Sequence, residues 1–230
     1  MGLKEDLNSE VTNTFKEQWT KVKTVNIPIS EDLALNNYAK ELGEVTVLYA
    51  DLDGSTNMVE NYNWEFSAEI YKAYLRCAAR IIKKRGGEIT AYDGDRIMAI
   101  FTGNSKNSNA TKAALNLNYA VLKIIQPLID KYYPNQKYKI KHSVGIDCSE
   151  IRAARIGVRG SNDIVWIGRA ANCAAKLTGL KLASLMITEN VYKKMNKDSK
   201  LSNNKPMWVK TSKTIMGIPI YGSSWYWGDL

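Results

Sequence analysis

A chain of 230 residues is long enough for one full α/β domain with an additional segment. Hydrophobic residues make up 45% and charged residues 24% of it, which excludes a disordered or fibrous protein. A formal charge of +9 raises the question of nucleic-acid binding, but the cations are scattered along the chain. With no recognised nucleic-acid-binding motif, we expect no nucleic-acid partner.

Membrane and secretion signals are also missing from the pattern of the chain. No apolar run approaches the ~20 residues of a membrane-spanning helix, and the N-terminal residues lack the apolar centre of a secretory signal. Cys77, Cys148 and Cys173 are odd in number and widely spaced, which argues against disulfides and against a zinc site. His142, the only histidine, lies in an alternating segment that indicates a strand. We expect a cytoplasmic protein with no membrane contact and no histidine chemistry.

The first 43 residues predict a helical arm. Apolar residues at near-helical spacing indicate an amphipathic helix over residues 7–25, with Leu7, Val11, Phe15, Trp19, Val22 and Val25 on one stripe. Pro28 and Ser30 mark a break, and Ser30 is the predicted N-cap of a second short helix before Gly43.

From residue 44 onward, short β-rich runs alternate with amphipathic stretches, which is typical of one compact α/β domain. The predicted elements are a central strand (44–52), a helix (64–85), two strands around an Asp-Gly turn (88–92 and 96–101), a helix (108–133), a strand (138–147), a hairpin (151–158 and 163–167), a small-residue helix (168–179) and an αβ pair (188–221). Ser108 or Asn109 is the predicted N-cap of the long helix, and Pro127 is expected to kink or shorten it. Gly179 is the predicted C-cap of the small-residue helix, whose backbone can approach a neighbour closely.

Two acidic turns stand at the ends of β-rich runs, in ADLDGST (50–56) and AYDGDRIMAIF (91–101). A hairpin turn beside a central strand can bring their carboxylates together. Hard divalent cations take carboxylate oxygens, and two of them about 3.5–4 Å apart can activate a hydroxyl and stabilise a leaving group. Turn chemistry alone also explains an Asp in either motif, so the two readings stay open at this point.

Taken together, the motifs resemble those of the class III adenylate and guanylate cyclases over residues 44–221. YADLDGST is similar to the family phrase FADIVGFT, and YDGDRIMA is similar to TIGDAYMA. The segment ANCAAKL (171–177) is similar to the family helix VNxAxRL. The resemblance implies the α/β (α+β) ferredoxin-like palm fold of these cyclases. It divides the chain into an N-terminal helical arm (1–43), a catalytic domain (44–221) and an aromatic C-terminal tail (222–230).

The resemblance also implies roles for individual residues. Asp51 and Asp95, with the Leu52 carbonyl, would bind two divalent ions, Mg²⁺ or Mn²⁺. Asn172 would orient the ribose of a nucleoside triphosphate. Lys176, one helical turn later, would meet charge developing on the α-phosphate, in place of the family's Arg and without its bidentate fork.

Phosphate contacts are predicted at two further places. Gly54, Ser55 and Thr56 open a predicted helix whose free N–H groups point at an anion, and Gly54 permits close backbone approach. Ser55 or Thr56 can donate a hydroxyl or cap the helix, and capping alone would explain both residues. The late lysine of the family corresponds to Lys210 or Lys213, with Lys210 favoured although the family's glycines are missing.

The positions that read a purine in this family are apolar here. Ala91 lies four residues before the second metal Asp and Val165 lies seven before Asn172, and neither side chain can hydrogen-bond a purine edge. A site without polar readers is not expected to select that purine. Tyr49 stands where the family usually has Phe and adds a hydroxyl for a smaller base. With the phrase GVRGSNDIVWIG (157–168) and the N-terminal arm, these features resemble the pyrimidine cyclases of bacterial Pycsar anti-phage systems.

That resemblance implies a uridylate cyclase, which forms cyclic UMP from UTP as a second messenger of anti-phage defence read by a separate effector protein. A cytidylate or adenylate cyclase is the alternative if a bulge puts Asp163, instead of Val165, at the position that reads the base. A degenerate cyclase domain kept for nucleotide sensing is another, whereas GGEIT (86–90) fails the GGDEF pattern of diguanylate cyclases. One cyclase domain per chain implies a homodimer with composite sites, in which one protomer supplies the metal aspartates and the other supplies Asn172 and Lys176.

Overall fold

The computed structural model describes residues 2–230, which fall into two compact units. The smaller unit holds the residues up to Glu44 together with Glu150–Gly168, and the larger unit holds Val45–Ser149 with Arg169–Leu230. Among residues 2–230, no helix combines the length and the apolar character needed to cross a membrane.

Helices and strands alternate along the chain, as in an α+β fold. The helices are α1 (Leu3–Lys16), α2 (Ser55–Asn61), α3 (Trp64–Lys84), α4 (Lys106–Tyr119), α5 (Gln126–Tyr132), α6 (Arg169–Leu180), α7 (Glu189–Lys194) and α8 (Lys197–Lys200), with a 3-10 turn at Ser30–Asp32 and a π-helical segment at Ala120–Ile125. The strands are β1 (Thr20–Lys23), β2 (Tyr38–Asp53), β3 (Glu88–Asp93), β4 (Arg96–Phe101), β5 (Lys141–Val158), β6 (Ser161–Ile167), β7 (Leu185–Thr188), β8 (Leu201–Ser202), β9 (Lys205–Pro206), β10 (Val209–Ile215) and β11 (Ile218–Ser223).

In the smaller unit, β1 pairs in parallel with β2, and β6 pairs antiparallel with β5. The helix predicted over 7–25 is wrong in its second half, because α1 ends at Lys16 and a strand follows. The reason lies in the alternation of β-branched Thr20, Val22 and Thr24, which suits a strand that pairs along β2. The second helix predicted after Ser30 is only a 3-10 turn, and residues from Tyr38 onward belong to β2.

In the larger unit, the strands follow the order β10-β11-β7-β5-β2-β4-β3. β2 and β3 both pair antiparallel with β4, while β7 runs parallel to β5. The side chains of Leu48, Ala50 and Leu52 enter the main core, to which helix α3 contributes Tyr74 and Ile82. Because side chains alternate along a strand, Tyr49 and Asp51 face the other side of the sheet.

The predicted central strand, the helix from Trp64, the β3–β4 hairpin and the β5–β6 hairpin are confirmed. The long helix is interrupted: α4 is capped by Ser105 rather than by Ser108 or Asn109, and the π-helical segment separates it from α5. Pro127 lies in the first turn of α5, where its missing N–H costs no helical hydrogen bond.

The strand predicted over 138–147 begins at Lys141 and continues without a break to Val158. The predicted end at Asp147 does not occur, and the buried Asp147 carboxylate is satisfied by Arg169 and Thr188. The predicted αβ pair over 188–221 is instead two short helices followed by the β8–β9 and β10–β11 hairpins.

Helix α6 approaches β5 closely, as its small residues predict. A Cβ atom added to Gly145 would lie 2.2 Å from the Ala174 carbonyl oxygen and 2.7 Å from the Leu177 Cβ. Gly179 is not the C-cap that the sequence predicted, because it lies inside α6. The first residue beyond the helix is Lys181, with a φ of +51°. Because a Cβ at position 145 would overlap α6, the glycine at this position allows the short distance between the helix and the sheet.

We expect Gly145→Ala to lower the free energy of unfolding by about 1–3 kcal/mol or more, because the added methyl group overlaps the backbone of α6. Gly179→Ala is the matched control: a Cβ there meets no atom within 4 Å, and alanine should stabilise the helix by about 0.5–1 kcal/mol. Urea unfolding of both variants measures the difference. Equal effects of the two substitutions would show that close packing at Gly145 does not control the stability of this layer.

Candidate active site

The ends of three strands place charged side chains in one row. Arg96 of β4 lies opposite Asp51 of β2 on one side and opposite Asp93 of β3 on the other. Directly opposed residues project from the same face of a sheet. The two-residue loop Gly94–Asp95 closes the β3–β4 hairpin, and the φ of +60° at Gly94 fits a turn that needs glycine in its first central position. The hairpin thus presents Asp95 beside the Asp51 end of β2.

The surroundings of Asp51 disfavour the ionised form of its carboxyl group. Burial raises the pKa of Asp51, Arg96 opposes that rise, and the negative charges of Asp95 and Asp53 add to it. The Arg96 Nε donates to Asp51 Oδ1 at 3.2 Å, with the Asp51 side chain 15% exposed and the Arg96 side chain 51% exposed. Arg96 is the counter-charge that the sequence reasoning missed, although its position directly after Asp95 was a signal.

This donor set fits a hard divalent cation. Ionised carboxylates at Asp51 and Asp95 repel one another in a partly dry setting, and a divalent ion between them would relieve that repulsion. Within the described part of the chain, no group of three or more His, Cys, Asp or Glu side chains is arranged to hold a metal. Main-chain or substrate oxygens would therefore have to complete the coordination, and the Leu52 carbonyl remains the predicted main-chain ligand.

A second row lies two residues further from the hairpin turn, on the same face. Tyr49 of β2 is opposite Met98 of β4, which is in turn opposite Ala91 of β3. Burial raises the pKa of Tyr49, the negative charge of Asp93 raises it further, and Arg96 opposes both. The structure thus brings the predicted base-contacting residues Tyr49 and Ala91 to the face that carries Asp51.

Val165 and Asp163 belong to the smaller unit, where both lie exposed on β6. They are two residues apart and therefore project from the same side of the strand. The Asp163 Oδ1 accepts a hydrogen bond of 2.7 Å from the Ile164 N–H. Neither residue is buried, so both remain accessible in a single chain.

Helix α6 presents Asn172 and Lys176 on its exposed side, four residues apart. The start of the helix is anchored by Arg169, whose Nε donates to the buried Asp147 Oδ2 at 3.0 Å. The Thr188 hydroxyl donates to the other Asp147 oxygen at 2.5 Å. These contacts, which the sequence did not indicate, fix the direction in which Asn172 and Lys176 point.

The predicted phosphate contacts have different surroundings. Gly54, with a φ of +75°, is the N-cap of α2, so the alternative in which Ser55 or Thr56 caps the helix is wrong. The Ser55 side chain instead hydrogen-bonds the Tyr71 hydroxyl, whose pKa is raised mainly by burial.

Of the two candidate lysines, Lys210 lies with its Nζ 3.3 Å from Glu189 Oε1. The other, Lys213, is exposed within an irregular stretch of β10. The choice between them stays a prediction.

The family model of the adenylate and guanylate cyclase catalytic domain matches residues 37–221. The chain belongs to this family and is a nucleotide cyclase, as its motifs predicted. Two uridylate cyclases are similar over 99% of both chains: one from Burkholderia cepacia at 53% identity and one from Xanthomonas perforans at 49%. The structure is similar to that of the adenylyl cyclase CyaB from P. aeruginosa, with a TM-score of 0.66 and 22% identity over 84% of this chain and 98% of that one. The predicted cyclase fold is therefore confirmed.

We expect Arg96→Gln to raise the pKa of Asp51 further, since it removes the opposing positive charge. The folded chain holds the Asp51 proton more tightly than the unfolded chain, so the contribution of Asp51 to stability falls as pH rises through its folded pKa. The substitution should extend that fall to higher pH. A carboxyl ¹³C titration of the metal-free protein measures the midpoint directly.

The control is Arg152→Gln, since Arg152 pairs with Glu41 at 2.8 Å in the smaller unit. It should leave the Asp51 midpoint in place. A midpoint that stays constant or falls in Arg96→Gln would exclude Arg96 as the counter-charge of Asp51.

Proposed function

We propose that this nucleotide cyclase converts UTP to 3′,5′-cyclic UMP and pyrophosphate. The observation that carries the proposal is the row of Tyr49, Met98 and Ala91 beside the charged row of Asp51, on one face of the sheet. We propose that the hydroxyl and the apolar side chain of this row contact the base, with the reacting phosphates next to it at Asp51. The names of the two full-length relatives support the same substrate.

The chemistry of the base follows from this row. A purine bound against Ala91 would leave polar edges unpaired, at a cost of about 1–3 kcal/mol per group. The Tyr49 hydroxyl can accept a hydrogen bond from the uracil N3–H or donate one to a uracil carbonyl. Burial keeps this phenol protonated, because the pKa of Tyr49 lies above its ordinary value. Cytosine has no N3 proton, which favours uracil.

In the proposed reaction the ribose 3′-hydroxyl loses its proton to water and its oxygen attacks the α-phosphorus. The bond from that phosphorus to the oxygen bridging to the β-phosphate breaks, and pyrophosphate leaves. Two divalent ions, Mg²⁺ or Mn²⁺, held by Asp51, Asp95 and the Leu52 carbonyl would favour the ionised 3′-oxygen and neutralise the leaving group. Asn172 is proposed to orient the ribose, and Lys176 to stabilise charge on the α-phosphate. Gly54, Ser55 and Thr56, with Lys210 or Lys213, are proposed to hold the other phosphates.

The proposal includes a homodimer with two composite sites. Its support is the exposed side of α6, where the side chains of Asn172 and Lys176 lie open to a partner. In a two-fold dimer, these residues from one protomer would complete the site that holds Asp51 and Asp95 of its partner.

The proposed setting is the bacterial cytoplasm, in anti-phage defence, with the product read by a separate effector protein. The likeness of the sequence motifs to the Pycsar pyrimidine cyclases supports this setting. Cys77, Cys148 and Cys173 form no disulfide with one another, as is common in a reducing compartment.

We expect Asp51→Ala and Asn172→Ala each to abolish turnover when assayed alone, and a mixture of the two to regain it. Random exchange of subunits makes half of the dimers mixed, and each mixed dimer has one intact site. Recovery should therefore reach about one quarter of the wild-type rate. Cyclic nucleotide chromatography after co-refolding measures it, with Asp51→Ala plus Asp95→Ala as the control pair that cannot recover. Proven subunit mixing without recovery would exclude shared sites.

We expect equimolar triphosphates with Mn²⁺ to give mainly cyclic UMP, and Tyr49→Phe to slow UTP turnover by about 3- to 10-fold with less effect on ATP. Tyr92→Phe, on the opposite side of the same hairpin, is the control that should change neither rate. Mainly cyclic CMP would assign the base to cytosine instead. Mainly cyclic AMP would favour a reading role for Asp163, and no product from any triphosphate would indicate a nucleotide-sensing domain.

A further inference from the structure

A series of buried, hydrogen-bonded side chains connects the Asp51 end of β2 with the last residues of the protein. The Tyr74 hydroxyl on α3 lies 3.3 Å from the Asp51 main-chain oxygen and 3.4 Å from His142 Nδ1. The other imidazole nitrogen, Nε2, lies 3.0 Å from Asn118 Oδ1. Tyr74, His142 and Asn118 are all buried within the larger unit.

The C-terminal tail fixes the orientation of the Asn118 side chain, which ends this series. Asn118 Nδ2 donates to the main-chain oxygens of Ser224 and Trp225, at 3.1 and 2.9 Å. With its amide protons committed to the tail, Asn118 must turn its oxygen toward His142. That oxygen can only accept, so the facing imidazole nitrogen must carry the proton.

The state of the imidazole then decides where the Tyr74 proton goes. Burial lowers the pKa of His142 to about 4, so the ring is neutral and carries one proton. With that proton on Nε2, Nδ1 is an acceptor and competes with the Asp51 carbonyl for the single Tyr74 proton. The two nearly equal distances, 3.3 and 3.4 Å, match a hydroxyl that lies between two acceptors.

We infer that Asn118, oriented by the C-terminal tail, holds His142 as its Nε2–H tautomer, and that His142 and Tyr74 are positioning residues for the Asp51 end of β2. Tyr74 is the link that bonds the main chain at Asp51, next to the predicted Leu52 ligand. The tautomer follows from the contacts and from the burial that keeps the imidazole neutral, whereas the link to turnover rests on the proposed metal role of Asp51.

The single histidine of the chain makes the tautomer directly measurable. Long-range ¹H–¹⁵N spectra of histidine-labelled, metal-free protein near neutral pH should show Nε2 protonated and Nδ1 unprotonated. An Nδ1–H tautomer or an imidazolium in the wild-type protein would overturn the inference, whether or not UTP is the substrate.

Asn118→Leu should increase the Nδ1–H population, because the acceptor that stabilises Nε2–H is lost. Asn116→Leu is the matched control on the same helix. Asn116 Nδ2 donates to the Trp227 oxygen and to Asp229 Oδ1, both at 2.8 Å, and has no bond to His142. It should leave the tautomer unchanged. An unchanged tautomer in Asn118→Leu, or an equal change in both variants, would show that Asn118 does not set the tautomer of His142.

The positioning role has its own readout. Tyr74→Phe should lower kcat by about 3- to 10-fold and raise the Mn²⁺ concentration for half activation, with the KM for the preferred triphosphate changed less than about twofold. Tyr138→Phe is the control, since its buried hydroxyl has no hydrogen-bond partner among the described residues. Mn²⁺ activation of Tyr74→Phe equal to that of Tyr138→Phe would overturn the positioning role. A Tyr74→Phe protein that melts normally but is impaired to a similar extent in kcat, in the Mn²⁺ concentration for half activation and in the KM for the triphosphate would also contradict the positioning role.

Discussion

The pairing of β2 with the β3–β4 hairpin is the constraint on which the site depends. It places Asp51, Arg96 and Asp93 in one row and holds Asp95 in the adjoining turn. Carboxylates that share a partly buried place repel each other, so their proximity has to be enforced by the surrounding structure. Main-chain hydrogen bonds of the hairpin enforce it, and Arg96 offsets part of the repulsion. The proposed metal site is thus built on paired strands and on the tight turn that joins two of them.

The same pairing explains why the motifs were readable from sequence. An apolar run that ends in acid, followed by a turn between two short strands, specifies much of the local geometry. The bounds of β3 and β4 and the end of β2 were therefore predicted to within one residue, whereas β2 begins six residues before its predicted start. Asn172 and Lys176 were likewise predictable, because helical spacing alone puts residues four apart on one side.

Other features depend on contacts between distant parts of the chain. The strand β1 follows a stripe that also fits a helix, and only pairing with β2 decides between the two. Continuation of β5 past Asp147 requires Arg169 and Thr188, which come from elsewhere in the sequence. The bonds between Tyr74, His142 and Asn118 join three separate elements, and no local pattern encodes them. Sequence periodicity could place Tyr74 on a buried stripe but could not supply its partners.

The two-residue loop at Gly94–Asp95 limits how this enzyme can diversify. Side chains alternate along each strand, so one inserted residue in β3 would turn the Ala91 position to the opposite face of the sheet. An inserted residue within the loop would displace Asp95 from its place beside the row that contains Asp51. Changes in length would therefore disturb the proposed metal ligands and the proposed base contacts together. Under the proposed function, a new base preference that leaves the hairpin register intact would arise through single side-chain replacements, such as those at positions 49 and 91.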